Sequence, residues 1–299
     1  MHETSKAAAW LVSILIINMT QATQSEKTTS EIICSTSSSV SSDVTVTCLC
    51  PSAEKTLIIR DVAVNVDEEG QVNITLPANT TTLRVGGCEE VHMSGPTLIT
   101  LTNLHTLHLH DIKLLHMAYD FFMKPNTHLR SLHLSNTSFA NLEDFPIIHA
   151  EHLDNVTLDA LMMLEGTLKL LIVTHQDEPM NLISITNSNI EKLGEINISP
   201  RNVKNFVLQN NTIGIIMTGA IMHDSTKFIV QDNYITSIDF QALESVTYNF
   251  ILAGNTIGTL ALKSIAVENA TSIIITNNSF HHIESVKGES GHQRQHIPF

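Results

Sequence analysis

The segment Val203-Lys-Asn-Phe206-Val-Leu208-Gln-Asn-Asn211-Thr-Ile213 decides the fold. It fits the pattern LxxLxLxxNxL, with apolar residues at positions 1, 4, 6 and 11 and an asparagine at position 9. Three copies follow in the same frame. Phe228, Val230, Asn233 and Ile235 form the first, Phe250, Leu252, Asn255 and Ile257 the second, and Ile273, Ile275, Asn278 and Phe280 the third. The asparagines lie 22, 22 and 23 residues apart.

The frame extends backward through Leu104, Leu107, Leu109, Ile112 and Leu114, then Leu129, Leu132, Leu134 and Phe139. It continues through Leu153, Val156, Leu158 and Met163, and more loosely through Ile183, Ile185 and Ile190. Weaker copies surround Leu57/Ile59 and Leu83/Val85. With position 6 as marker, the series is Ile59, Val85, Leu109, Leu134, Leu158, Ile185, Leu208, Val230, Leu252 and Ile275, at intervals of 22 to 27 residues. Such a repeat predicts a solenoid with a parallel β-sheet and about ten coils over residues 54–284. Strand alternation turns positions 4 and 6 inward and positions 3, 5 and 7 outward. The expected asparagine ladder is Asn211, Asn233, Asn255 and Asn278. A buried amide at such a position needs partners, because an unpaired one costs roughly 1–3 kcal/mol.

The chain resembles the extracellular leucine-rich repeat family on these motifs. Small-then-large pairs at Ala220-Ile221, Ala242-Leu243 and Ser264-Ile265 add to the likeness, as does Phe121-Phe122 in an earlier coil. The chain departs from that pattern in three ways. The cysteine spacing is stretched, a cysteine-bearing C-terminal cap is missing, and Cys88, Ile112, Thr137, Leu161 and Ser188 replace the asparagine in other coils. The right-handed parallel β-helix of pectate-lyase-like proteins is the alternative. Coils rich in Ile, Val and Thr, and strand-like alternation from Gly258 to Val267, lean that way. Helix on the convex side would distinguish the two, although 22-residue coils leave little room for helix in either.

Residues 1–22 read as a secretory signal peptide, with an apolar run from Ala7 to Ile17 that is too short to span a bilayer comfortably. Residues 23–53 form a Ser/Thr-rich lead-in and a cysteine-bearing cap, and residues 285–299 a polar tail. Cys34, Cys48, Cys50 and Cys88 suggest two disulfides among three possible pairings, with Cys48–Cys50 the least favoured. Glycosylation sequons begin at Asn73, Asn79, Asn136, Asn155, Asn197, Asn210, Asn269 and Asn277.

The 299 residues are 42% apolar and only 15% charged, with a net charge of −14 and no basic tract, which argues against nucleic-acid binding. The outward position 5 is His108, His133, Thr157 and Ser184 early, and Val207, Ile229, Ile251 and Ile274 late. His108, His110 and His133, with Asp159 one coil further on, are candidate ligands for Zn²⁺ or Cu²⁺. The late row is a candidate partner-binding stripe. Outward acids are sparse, and no GxSxG, HExxH or phosphate-binding glycine loop appears. The expectation is a secreted binding or adhesion module without enzymatic activity or cofactor, recognising a protein partner or a second copy of itself. The alternatives are a β-helix that binds or cleaves extracellular carbohydrate, and a structural matrix component.

Overall fold

The structure is a computed structural model describing residues 33–38, 44–50, 56–59, 72–74, 79–93, 103–117, 128–139, 148–150, 152–173, 179–199 and 202–284. The expected signal peptide, the polar tail and Phe121-Phe122 lie outside these residues. The described residues contain strands and turns, with no helix among them. They wind into a parallel β-solenoid of about seven complete turns, against the ten coils expected, with nine rungs of the repeat stacked on its first face.

The difference arises at the N-terminal end. Strand β1 (Ile33–Ser38) runs antiparallel to β2 (Val44–Leu49), so this hairpin is not a repeat coil. Strands β3 (Thr56–Ile59) and β4 (Val72–Ile74) pair with each other. β5 (Thr80–Gly86) joins β2, with Val85 opposite Cys48 rather than Ile59. Leu57 and Ile59 instead pair with Val91 and Met93 of β6 (Glu90–Met93). Two disulfides, Cys34–Cys48 and Cys50–Cys88, staple this region. Closing the longer loop restricts the unfolded chain by an amount worth on the order of 4 kcal/mol. All four cysteines are bridged, as is usual in an oxidising compartment.

Beyond β5, one face is continued by β7 (Thr106–Met117), β8 (Ser131–Phe139), β10 (Asn155–Asp159), β12 (Met180–Thr186) and β14 (Asn202–Gln209). β17 (Asp224–Gln231), the second half of β19 (Leu243–Ala253) and β22 (Ser272–Thr276) complete it. Equal positions of the repeat stack in register. Leu83, Leu107, Leu132, Val156, Ile183, Phe206, Phe228, Phe250 and Ile273 form one column, and Val85 through Ile275 the next. Apart from the Ile273 and Ile275 rung, these residues are essentially fully buried. Each contributes roughly 1.5–3 kcal/mol of burial.

A second face consists of β11 (Met162–Val173), β13 (Asn189–Ser199), β15 (Thr212–Ile216), β18 (Tyr234–Ile238), β20 (Thr256–Leu260) and β23 (Ser279–Ile283), again parallel. A third, shorter run comprises β16 (Ile221–Met222), the start of β19 and β21 (Ile265–Glu268). The small-then-large pairs begin this run, directly after the left-handed residues Gly219, Gln241 and Lys263. Lys263 therefore breaks the segment from Gly258 to Val267 into two strands and a turn. In the coil of Leu104, a register shift between Ile112 and Leu115 buries Leu115 and leaves Leu114 half-exposed, so the inward position moves by one.

The turn between the first two faces repeats in every coil. Position 8 is left-handed throughout: Gly87, Asp111, Asn136, Ala160, Asn187, Asn210, Asp232, Gly254 and Asn277 all have positive φ, from 46° to 68°. Glycine, Asn and Asp tolerate this conformation best. At Gly254 a Cβ would also overlap the Asp232 carboxylate. Position 9 then turns inward. Asn233 Oδ1 accepts from the N–H of Asn211 at 2.9 Å and from its Nδ2 at 3.0 Å, while Asn233 Nδ2 donates to Leu208 O at 2.8 Å. Asn255 and Asn278 repeat the arrangement. Asn211 Oδ1 passes it on to the N–H of Ser188, whose Oγ accepts from Leu161 N–H.

Removing Asn233 strands a buried N–H and a buried carbonyl, so Asn233→Ala should lose about 3 kcal/mol in urea unfolding, and Asn278→Ala, which is half-exposed, about 1 kcal/mol. Equal losses would show that burial of the ladder is not the cause. A second expectation concerns His223, which is 2% exposed beside Phe206 and Phe228, with neither ring nitrogen hydrogen-bonded among the described residues. Burial, opposed weakly by the nearby backbone of His223 and Asp224, lowers its pKa from 6.5 to about 4. The unfolded chain binds the proton first, so stability is intact above about pH 6.5 and falls as pH drops toward 4, by about 3 kcal/mol in all. His223→Leu should flatten this acid limb, read as melting temperature against pH.

Candidate functional site

The outward residues of the first face form rows set by the same register that stacks the core. Position 5 runs Arg84, His108, His133, Thr157, Ser184, Val207, Ile229, Ile251 and Ile274. His108 and His133 are direct cross-strand partners, with ring centroids 5.8 Å apart. His110 lies 5.1 Å from His108 on the same strand, its ring over Gly86, where a Cβ would collide with it. Its Nδ1 lies 2.9 Å from Asp111 Oδ2, and the other carboxylate oxygen accepts from Asn136 Nδ2 at 2.7 Å. These two hydrogen bonds hold the Asp111 carboxyl below the usual range.

Arg84, Thr106, His108, His133, Ser135, Thr157 and Asp159 line a shallow groove of about 340 Å³. Burial lowers the pKa of His108, helped by the charges of His110, His133 and Arg84 and opposed by Asp111. Burial and Arg84 lower that of His133. Arg84 is the residue that the sequence reading missed here. A guanidinium in the row favours neutral imidazoles and repels a metal cation, so its presence weighs against the trio His108, His110 and His133 as a cation site. Asp159 is tied to Thr186 Oγ1 at 2.6 Å and Asn187 Nδ2 at 2.7 Å, both through Oδ1.

The late half of the row is apolar. Val207, Ile229 and Ile251 are half-exposed, and Ile274 is 45% exposed. Asn205, Lys227 and Asn249 flank the row on one side, with Gln209 and Gln231 on the other.

The structure converges a different trio. Among the described residues, Glu90, His92 and His116 bring one ligand atom each within 4.8 Å of one another. Burial pushes the Glu90 carboxyl up, but hydrogen bonds and charge from His92 and His116 outweigh it and hold the group low. A signal for this pair existed in the sequence: His92 and His116 are 24 residues apart, the same interval as Val85 and Leu109.

Five of the sequon asparagines, Asn79, Asn136, Asn210, Asn269 and Asn277, are exposed. Asn155 and Asn197 are half-buried within strands, and Asn73 lies in β4. Among the described residues, no helix is long and apolar enough to cross a membrane.

Fold and surface together define a disulfide-stapled parallel β-solenoid protein with an in-register outward strand face. No known family matches the chain, and neither a curated protein nor a solved structure does.

Removing the guanidinium should raise both histidine pKa values. In an NMR titration of the ring signals, His108 and His133 should titrate below the ordinary value near 6.5, and Arg84→Ala should move both upward. Unmoved values would separate Arg84 from the histidine pair.

Proposed function

We propose that this protein is a secreted, non-enzymatic binding module whose first strand face engages a protein partner, a second copy of the chain included. The observation that carries the reading is the continuous position-5 row. Its C-terminal half sets four β-branched or aliphatic side chains, Val207 to Ile274, in a line at a half-exposed surface. An aligned apolar stripe with a polar rim is the composition of an interface. The disulfides favour an extracellular setting, and the apolar run of residues 1–22 supplies a route to it. The exposed sequons at Asn136, Asn210 and Asn277 lie on the turn edge, three residues beyond this row.

The cross-section fits the parallel β-helix alternative better than the leucine-rich repeat. The strand and asparagine half of each coil suits both. The second face carries the continuous parallel strands β11, β13, β15, β18 and β20, the sheet that a β-helix requires beside its first.

A carbohydrate ligand is the second reading, favoured by the groove at Arg84, His108 and His133 with its hydroxyls from Thr106, Ser135 and Thr157. Binding suits it better than cleavage. The groove is lined by one carboxylate, Asp159, whereas glycoside hydrolysis ordinarily uses two.

The test replaces Ile229 and Ile251 by Ser and measures self-association by sedimentation and partner capture from extracellular fluid. The expected outcome is retained β-structure with at least a tenfold loss of association. Unfolding of the double variant would assign the row to the core instead.

A further inference from the structure

A compact group of ligating side chains lies away from the position-5 row, on strands β6 and β7. Val91 and Met93 are buried, so alternation turns Glu90 and His92 outward. Leu115 is buried on the neighbouring strand, which turns His116 outward. Register pairs His92 directly with His116. The two imidazoles stack with centroids 4.1 Å apart and planes 7° from parallel. Both Nε2 atoms lie against one atom, Glu90 Oε1: His92 Nε2 is hydrogen-bonded to it at 2.8 Å, and His116 Nε2 lies 2.7 Å away without a well-formed hydrogen bond.

We infer that Glu90, His92 and His116 form a binding site for a borderline divalent cation of the Zn²⁺ or Cu²⁺ kind. Three observations carry this. The donor set is two imidazole nitrogens and one carboxylate oxygen, which suits Zn²⁺ and Cu²⁺; Mg²⁺ and Ca²⁺ prefer oxygen alone. The geometry is close to that required. Zinc sits about 2.0–2.2 Å from such atoms, so tetrahedral ligand atoms stand about 3.3 Å apart. Here both nitrogens already lie against the carboxylate oxygen, and all three ligand atoms lie within 4.8 Å of one another. A displacement of well under about 1 Å per atom, with a tilt of the rings out of their parallel stack, would open the site to that span.

The third observation is the support beneath the ligands. Cys88, two residues before Glu90, is disulfide-bonded to Cys50. The adjacent Glu89 is ion-paired with Lys113 of β7 at 2.6 Å. The backbone that sets the ligand spacing is thus fixed on both strands. The side chains are 30–37% exposed while the His116 Nε2 atom itself is shielded from solvent, so an ion enters as the stack opens, and a fourth coordination position is then left to water or to a donor from another molecule. With neutral imidazoles the trio carries one net negative charge, on a chain whose formal net charge is −14, and this draws cations inward. The position-5 histidines differ in having Arg84 among them.

Calorimetry on the full chain, stripped with a chelator and titrated with ZnCl₂ in excess Mg²⁺, tests the inference. The expected result is one saturable site per chain. Its affinity should fall at least tenfold in His92→Ala and in His116→Ala, fall also in Glu90→Gln, and stay unchanged in the double variant His108→Ala with His133→Ala. Circular dichroism checks each variant for retained β-structure, and Glu90→Gln, the near-isosteric change, stands in for any alanine variant that does not fold. Absence of saturable uptake overturns the site. So does uptake of unchanged affinity in the His92, His116 and Glu90 variants.

Discussion

Every turn of this solenoid must bend its backbone where two strand faces meet, and the bend is partly buried. Two consecutive residues solve the problem together. Position 8 takes a left-handed conformation, and position 9 turns a side chain inward to meet the backbone groups that the bend leaves unpaired. Each asparagine amide is shared with the coils on either side, so a one-coil slip would break bonds on both. Over the four asparagine coils that sharing locks the register which strand pairing sets along the whole solenoid, with its columns of Leu, Phe and Ile inside and its rows outside. Where asparagine is absent, other chemistry occupies the same place. Ser188 accepts from Leu161 N–H, Thr137 Oγ1 donates to Ser135 O, and Cys88 is bonded to Cys50. Ile112 and Leu161 fill the position with apolar bulk.

The frame was legible from the sequence because positions 4 and 6 repeat at nearly constant intervals, and strand pairing preserves those intervals. Its failures have local causes. The alternation around Leu57 and Ile59 marks a strand but cannot say which face it joins, and the β1–β2 hairpin takes the rung that Ile59 was expected to fill. The second face was hidden because its inward residues, such as Ile216 and Ile238, lie five residues after the asparagine, beyond the end of the recognisable motif. The register shift before Leu115 cannot be read from a pattern that assumes regular strands.

The candidate sites were legible to a lesser degree. Outwardness at position 5 follows from alternation, so His108 and His133 could be placed side by side. Exposure does not follow from alternation, because the packing around an outward side chain decides it, as the half-burial of Val207, Ile229 and Ile251 shows. His92 and His116 lie beyond the eleven-residue motif, so the repeat pattern does not set them side by side. The sequons gain a second meaning. Asn136, Asn210 and Asn277 occupy the left-handed column, where asparagine is favoured for its backbone, so the turn itself enriches the chain in Asn-x-Ser/Thr. Two of these amides are engaged across coils, Asn136 with Asp111 and Asn210 with Asn187.

The position-5 row also acts as a ruler. Its side chains come from adjacent strands, so they recur at about 4.8 Å along the solenoid axis. An extended peptide laid along that axis presents same-side residues about every 6.8 Å and falls out of step within one coil. A helix, with a pitch of about 5.4 Å, drifts by nearly 2 Å over the three intervals from Val207 to Ile274. A second stack of strands has the same spacing by construction and stays in step along the whole row. Commensurate pitch thus favours a partner that is itself a sheet lying alongside, strand against strand.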